Sequence, residues 1–303
     1  MVYQRTIKSE IQFKGIGLHT GKEATVTLKP AKPDRGIVFF RTDLADLGEV
    51  RIPALNRYVT DTALSTTIGR NGIKIATIEH LMAAVWGMGI DNLKIEVSGP
   101  EIPILDGSSA PFVSMLSNCG IVEQKRVRQY YIITKALSLR EGEHFCAMEP
   151  HAESRLTCSI EFDHPAIQKQ FFQMTLNEKN FSQELARART FGFLKDIEML
   201  RQRGLIAGGS LKNAIVLDHE KVLNMEPLRF KDEFVRHKML DSVGDLALFG
   251  MRILGHWVTH KAGHKIHAEF CARLLKSECG YIAEFSEHKP TVIPVLEPLL
   301  QTA

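Results

Sequence analysis

His237, Asp241 and Asp245 follow one another at intervals of four residues, in the run Arg236-His237-Lys238-Met239-Leu240-Asp241 and its continuation. The surrounding segment, about 232–249, reads as a helix, so the three side chains fall in one row on one face. An imidazole and a carboxylate one turn apart can grip a divalent cation, and mixed nitrogen and oxygen ligation suits zinc. Two further groups of the right kind stand elsewhere in the chain: the pair Glu79-His80, and His264 directly after Gly263. Together they offer two histidines and an aspartate as ligands, a spare glutamate as base and a spare histidine as acid. Those are the parts of a metal-assisted hydrolase. A solvated polar pair on a helix has the same spacing, so spacing alone leaves both readings open.

These groups need a scaffold that brings distant segments together. In the first third, residues 6–13, 24–29, 36–41 and 64–69 read as short strands, broken at Gly15, Gly17, Gly21 and Pro30. The period then changes. Ile78, Leu81, Met82 and Val85 recur at helical spacing, with Thr77 as the expected N-cap and Gly87 and Gly89 at the end. Residues 92–97 return to strand and 110–119 to helix. The charged stretch 123–128, with Lys125, Arg126 and Arg128, is expected to be an exposed linker between domains 1–126 and 127–303. Beyond it the order recurs: strands at 130–139, 144–148, 156–162 and 171–175, the helix 232–249, a strand at 252–259 and a last helix after Gly263. Strand runs followed by helix runs indicate α+β layers rather than a doubly wound parallel sheet. Glu79-His80 lies in one half and His237 in the other, so a shared metal places the site where the halves meet, a common position for a catalytic cleft.

The bulk properties exclude several classes. The chain has 303 residues, is 44% hydrophobic and 24% charged, and carries a net charge of only +3, a globular composition without a polyanion-binding signature. No nucleic-acid partner is expected. The five cysteines, Cys119, Cys146, Cys158, Cys271 and Cys279, are scattered with no Cys-x-x-Cys pair. That argues against a disulfide framework or a thiolate metal site and fits a reducing compartment. No leader-like apolar run opens the chain and no stretch suits a transmembrane segment, so a cytoplasmic location is expected; separately, the chain is expected to be a monomer.

Seven local sequences, in order, carry a resemblance: Gly15-Ile16-Gly17-Leu18-His19-Thr20-Gly21, Thr77-Ile78-Glu79-His80-Leu81, Gly89-Ile90-Asp91-Asn92-Leu93, Glu101-Ile102-Pro103-Ile104-Leu105-Asp106-Gly107-Ser108, Arg189-Thr190-Phe191-Gly192-Phe193, the run 236–246 and Gly263-His264. From about residue 3 to residue 275 the chain resembles the UDP-3-O-acyl-N-acetylglucosamine deacetylases, zinc amidases of lipid A biosynthesis in Gram-negative bacteria. The resemblance implies two similar α+β domains in a β-α-α-β sandwich, with the active site at their junction. It implies hydrolysis of the N-acetyl group of UDP-3-O-(3-hydroxyacyl)-N-acetylglucosamine, releasing acetate.

The resemblance also implies residue roles. His80, His237 and Asp241 match the zinc ligands, and three protein ligands leave a fourth position open for catalysis. Iron(II) would fit the same set. Glu79 matches the general base, His264 the second catalytic histidine and Asp245 its carboxylate partner. Thr190 matches a threonine on the reacting carbonyl and Lys238 a phosphate-binding lysine. Glu161 and Phe162 fall where the family holds uracil, and Phe191 where it packs on the sugar. The apolar segment 191–216, which alone reads as core or loop, matches an insert that encloses the acyl chain. His19 is the one further histidine kept as a site residue. His144 and Ser65 depart from a lysine and a cysteine found in some members, which puts pyrophosphate binding and sensitivity to excess zinc in question. Two other functions compete: a zinc amidase for another acylated amino sugar, separated by whether UDP is required, and a non-catalytic metal protein, against which Glu79 and His264 argue because neither is needed to hold a metal.

Overall fold

The structure, a computed structural model, describes residues 1–44, 50–202, 204–286 and 289–292. The first half builds a five-stranded sheet in the order Ile11–Ile16, Glu23–Pro30, Leu93–Val97, Ile37–Arg41, Val50–Pro53. Leu93–Val97 and Ile37–Arg41 run parallel, and the other pairings are antiparallel. The second half repeats this plan with Leu137–Glu141, His144–Glu149, Arg252–His260, Ser154–Phe162 and Gln168–Thr175. Again the central pair, Arg252–His260 with Ser154–Phe162, is the parallel one. In each half the central strand lies between two helices in sequence: Glu79–Gly87 and Ala110–Cys119 in the first, Glu233–Leu246 and His264–Leu275 in the second. Equal order, equal strand sense and equal helix placement make this an α+β fold of two similar units, as the strand-then-helix recurrence suggests.

The first helix of each pair lies inside. Every residue of Glu79–Gly87 is buried, as are twelve of the fourteen in Glu233–Leu246. A helix buried on all sides has neighbours on all sides. Glu233–Leu246 rests on strands Ser154–Phe162 and Gln168–Thr175 and crosses Glu79–Gly87 on its other face. Gly244 allows that crossing. A Cβ there would stand 2.1 Å from the Glu79 carbonyl oxygen and 2.8 Å from its carbon, both backbone atoms that cannot turn aside. Gly244→Ala is therefore expected to destabilise the protein by about 1–3 kcal/mol, the usual cost of overpacking. It should also displace Glu79-His80, whose backbone the added carbon meets. A urea midpoint equal to the parent's would show that the crossing has slack. The other end of Glu79–Gly87 is closed by Arg252, whose guanidinium donates to the Trp86 and Ile90 carbonyls and lies 4.0 Å over the Trp86 ring. A cation at a helix C-terminus meets the unpaired carbonyls there.

Three expectations are corrected. The stretch 123–128 is not a plain linker: Ile121–Val127 is a strand paired antiparallel with Tyr3–Ile7. Glu123, Lys125 and Arg126 stand exposed on this two-stranded sheet, a pattern that protects exposed strands and reads in sequence as a connector, whereas Arg128, just past the strand, is held against Asp91 at 2.6 Å. The strand expected at 6–13 is two, Tyr3–Ile7 and Ile11–Ile16, in different sheets, and that at 130–139 is also two, Gln129–Ile133 and Leu137–Glu141, here within one sheet. Thr77 is not an N-cap. Its φ is +58°, Ile78 occupies the cap position, and its hydroxyl donates to the Glu101 carboxylate at 2.9 Å.

The segment 191–216 forms its own unit. Phe191–Phe193 pairs in parallel with Ile215–Leu217, and between them helix Leu194–Gln202 has no buried residue. Among the described residues no helix is long and apolar enough to cross a membrane.

Candidate active site

The two inner helices bring His80, His237 and Asp241 together. All three are buried, and their potential ligand atoms lie within 4.8 Å of one another. Asp241 Oδ1 stands 3.4 Å from His80 Nε2 and 3.2 Å from His237 Nε2, yet that oxygen makes no hydrogen bond. A buried carboxylate oxygen without a donor is costly unless a cation completes it. Two imidazole nitrogens and this oxygen converging on one point fit a divalent metal with nitrogen and oxygen preference. The surroundings hold the ligands in that attitude. His237 Nδ1 lies 3.1 Å from the Ala188 carbonyl, an acceptor that fixes the ring and leaves Nε2 for a metal. Lys238 Nζ donates to Asp241 Oδ2 at 2.8 Å, turning Oδ1 toward the histidines. Burial alone would raise the Asp241 pKa, but His237 and Lys238 beside it hold it well below the usual carboxylate range.

Two further titratable groups, Glu79 and His264, flank this cluster. Glu79 is 3% exposed and accepts the Thr66 amide at 3.0 Å through Oε2. Burial raises its pKa, against the opposing pull of His264 and His80. That is the direction a general base working near neutrality requires. His264 stands at the start of helix His264–Leu275, its Nδ1 2.8 Å from Asp245 Oδ2. Burial disfavours its charge, but the Asp245 carboxylate prevails and raises its pKa to about 9. It is therefore an imidazolium at neutral pH, able to donate from its free face. Asp245 is buried, which would raise its pKa, yet His264 and His267 hold it below the usual range.

Asp245 has two partners that sequence reasoning did not name. Thr66 Oγ1 donates to its Oδ1 at 2.5 Å, and His267 Nδ1 stands 2.8 Å from its Oδ2. His267 was legible, since three residues past His264 on one helix shares its face. Thr66 was not: it sits in the Ser65-Thr66-Thr67 run, and only the fold turns it to Glu79 and Asp245. Ser65 is buried beside it.

The remaining candidates are brought in unevenly. Thr190 lies two residues past Ala188, its amide donating to the Gly107 carbonyl at 2.8 Å and its carbonyl accepting from Ile215. The segment is set by Glu233 in the first turn of helix Glu233–Leu246, which accepts Arg189 N at 3.0 Å, Arg189 Nε at 2.9 Å and Arg229 N at 2.6 Å. Phe191 stacks edge-on to His237 at 6.4 Å between centroids and to Phe162 at 5.7 Å, so Phe191 borders the His80, His237 and Asp241 cluster and Phe162 stands behind it. Glu161 does not share the Phe162 face. Strand alternation turns it the other way, into an ion cluster with Lys261 at 3.0 Å and Lys169 at 3.2 Å. Exposed His144 touches the same cluster through the Lys261 carbonyl. Lys238, expected on phosphates, is engaged with Asp241. His19 is partly buried with both ring nitrogens unpartnered, and burial lowers its pKa despite Glu101 nearby.

Residues 4–276 match the family model for UDP-3-O-acyl N-acetylglycosamine deacetylase. Curated relatives bearing the name UDP-3-O-acyl-N-acetylglucosamine deacetylase include one from Myxococcus xanthus, 48% identical over 92% of this chain and 88% of its own length. Others come from Syntrophus aciditrophicus, 45% identical over 92% of this chain and 88% of its own, and from Syntrophotalea carbinolica, 47% identical over 95% and 93%.

Proposed function

The chain belongs to the UDP-3-O-acyl-N-acetylglucosamine deacetylase family, and from that premise we propose that His80, His237 and Asp241 hold a catalytic zinc ion with Glu79 and His264 as its acid–base pair. The reaction is hydrolysis of the N-acetyl group of the UDP-3-O-acylated amino sugar, a step of lipid A biosynthesis. The observation that carries the site assignment is the unpaired Asp241 Oδ1 facing two histidine nitrogens, with a base of raised pKa and a charged histidine on either side. When bound, the metal polarises the amide carbonyl as a Lewis acid and lowers the pKa of the attacking water.

The protein groups do the rest. Glu79, oriented by the Thr66 amide, accepts the proton from water as it adds to the carbonyl. His264, charged at neutral pH, stabilises the developing oxyanion and then donates its proton to the departing amine. Asp245 keeps that imidazole oriented and charged, and is itself pinned by Thr66 and His267. The Thr190 hydroxyl is assigned to the reacting carbonyl, and Phe191 and Phe162 offer ring faces to sugar and base. Lys238 must leave Asp241 to meet a phosphate. Nitrogen and oxygen ligation supports zinc, and metal analysis of the purified protein against acetate release from the UDP-acylated substrate decides between zinc and iron(II). A substrate without UDP should be poor. Equal turnover of the two substrates would assign the site to another acylated amino sugar. The free thiols support a cytoplasmic location.

Segment 191–216 is the proposed acyl passage. Support comes from apolar side chains that the fold leaves open there: Leu194 is 36% exposed, Met199 42% and Leu211 51%. Shortening the acyl chain by four methylenes should forfeit about 3 kcal/mol at ~0.8 per CH₂, roughly a hundredfold in KM. Leu205→Asp and Ala214→Trp should change the ratio of long- to short-chain rates with metal content intact. If both variants kept the parent's ratio, the passage would lie elsewhere.

A further inference from the structure

Three of the seven local sequences meet at a group with no role in the chemistry above, the carboxylate of Glu101. It is 1% exposed and accepts four hydrogen bonds. Oε1 takes the His19 amide at 2.9 Å and the Thr77 hydroxyl at 2.9 Å; Oε2 takes the Thr20 amide at 2.8 Å and the Thr20 hydroxyl at 2.7 Å. A buried carboxylate satisfied this fully is a rigid anchor, because each of the four hydrogen bonds is charge-assisted and the carboxylate itself is shut off from water. One set of donors belongs to the loop 18–20. The other, Thr77, holds an unfavourable backbone with φ +58° two residues before Glu79.

The loop so anchored carries the insert. The amides of Ala207 and Gly208, from the second half of the chain, donate to the carbonyls of His19 at 3.1 Å and Leu18 at 3.0 Å. The contact has no spare room. A Cβ on Gly208 would stand 2.2 Å from the Gly17 carbonyl oxygen, and one on Gly17 would stand 2.3 Å from Glu101 Oε2. Glu101, Gly17 and Gly208 are thus stacked in direct contact. Helix Leu194–Gln202 has no buried residue to fix it, so these backbone bonds are a principal tie between that end of the insert and the first half of the protein.

We infer that Glu101 is a positioning residue that latches the insert of the second half onto the loop 17–21 of the first and so, on the reading of segment 191–216 as the acyl passage, holds the substrate-facing wall in place. It touches none of the reacting groups. Its effect passes through the loop, and it lies beyond the catalytic assignments above. Ordering the wall before substrate arrives reduces the entropy lost on binding. Loosening it should therefore weaken substrate capture more than the chemical step.

The test uses the metal-loaded protein with two variants. Glu101→Gln removes the charge and one acceptor. Thr20→Val removes a single hydroxyl and keeps the fold measurable if the first variant is too unstable. Amide hydrogen exchange at Ala207 and Gly208 should accelerate about tenfold or more in both, in line with the loss of a hydrogen bond to a charged group. The amides of Ile215–Leu217 should keep their protection, and Thr20→Ser should restore the parent's behaviour. In acetate release, KM should rise about tenfold with kcat within roughly twofold. Unchanged protection at Ala207 and Gly208 would overturn the latch. So would faster exchange spread evenly through Ile215–Leu217, or a fall in kcat at constant KM, since each marks a purely structural or catalytic role.

Discussion

His237→Ala is expected to yield a protein that purifies with little bound metal and is inactive in acetate release. An orienting second-layer partner is worth about 10–100-fold in metal affinity, and a direct ligand contributes more than that. Two ligands would remain, His80 and Asp241, too few for a closed divalent site. His80→Ala should behave alike. Asp241→Ala should be at least as severe, because it also strands Lys238, whose ammonium donates to Asp241 Oδ2 at 2.8 Å. The parent stripped by a chelator should lose activity and regain it with about one equivalent of zinc. Metal analysis and activity on the same preparations check all four expectations. Full metal occupancy in the three variants would sink the ligand assignment.

Glu79→Gln and His264→Ala should separate catalysis from ligation. The glutamine keeps an acceptor for the Thr66 amide and removes only the basic oxygen, so metal should be retained while turnover falls by about 10²–10⁴. His264→Ala should lose turnover on the same scale, also with metal in place. The pH profile assigns the roles. Glu79 must be deprotonated to act as base, so its titration belongs to the acid limb. His264 must be protonated to act as acid, so activity should fall as pH rises through about 9. Asp245→Asn removes the carboxylate that raises this pKa and leaves the burial that lowers it. The alkaline limb should then move down, toward or below the ordinary histidine value of about 6.5. A limb that stays near 9 in Asp245→Asn would remove His264 from the acid role. Metal loss in Glu79→Gln or His264→Ala would show that a ligand had been taken for a catalyst.

The helix that bears the site was legible because its information is local. A repeat of four places His237, Asp241 and Asp245 on one face whatever surrounds them, and the structure has Glu233–Leu246 with that face inward. The recurring order of strands and helices was legible for the same reason, and with it the two-unit α+β plan. The seven motifs identified the family. What pairing and crossing decide was not legible. Glu123, Lys125 and Arg126 look alike in a linker and on an exposed strand, and only a partner, Tyr3–Ile7, distinguishes the two. Thr77 before a helix reads as a cap until a distant carboxylate, Glu101, claims its hydroxyl. Glu161 and Phe162 are neighbours in sequence, yet the pleat sends them to opposite faces. Gly244 inside a helix reads as a weakness, but the crossing of the two inner helices requires it. The sequence by itself determined which side chains are present and which share a helix face, since those follow from backbone geometry within a few residues. Only the tertiary structure decided how Asp241 Oδ1 meets His80, how Asp245 is shared by Thr66, His264 and His267, and how Glu101 joins loop to insert, because each depends on where segments far apart in the chain come to rest against one another.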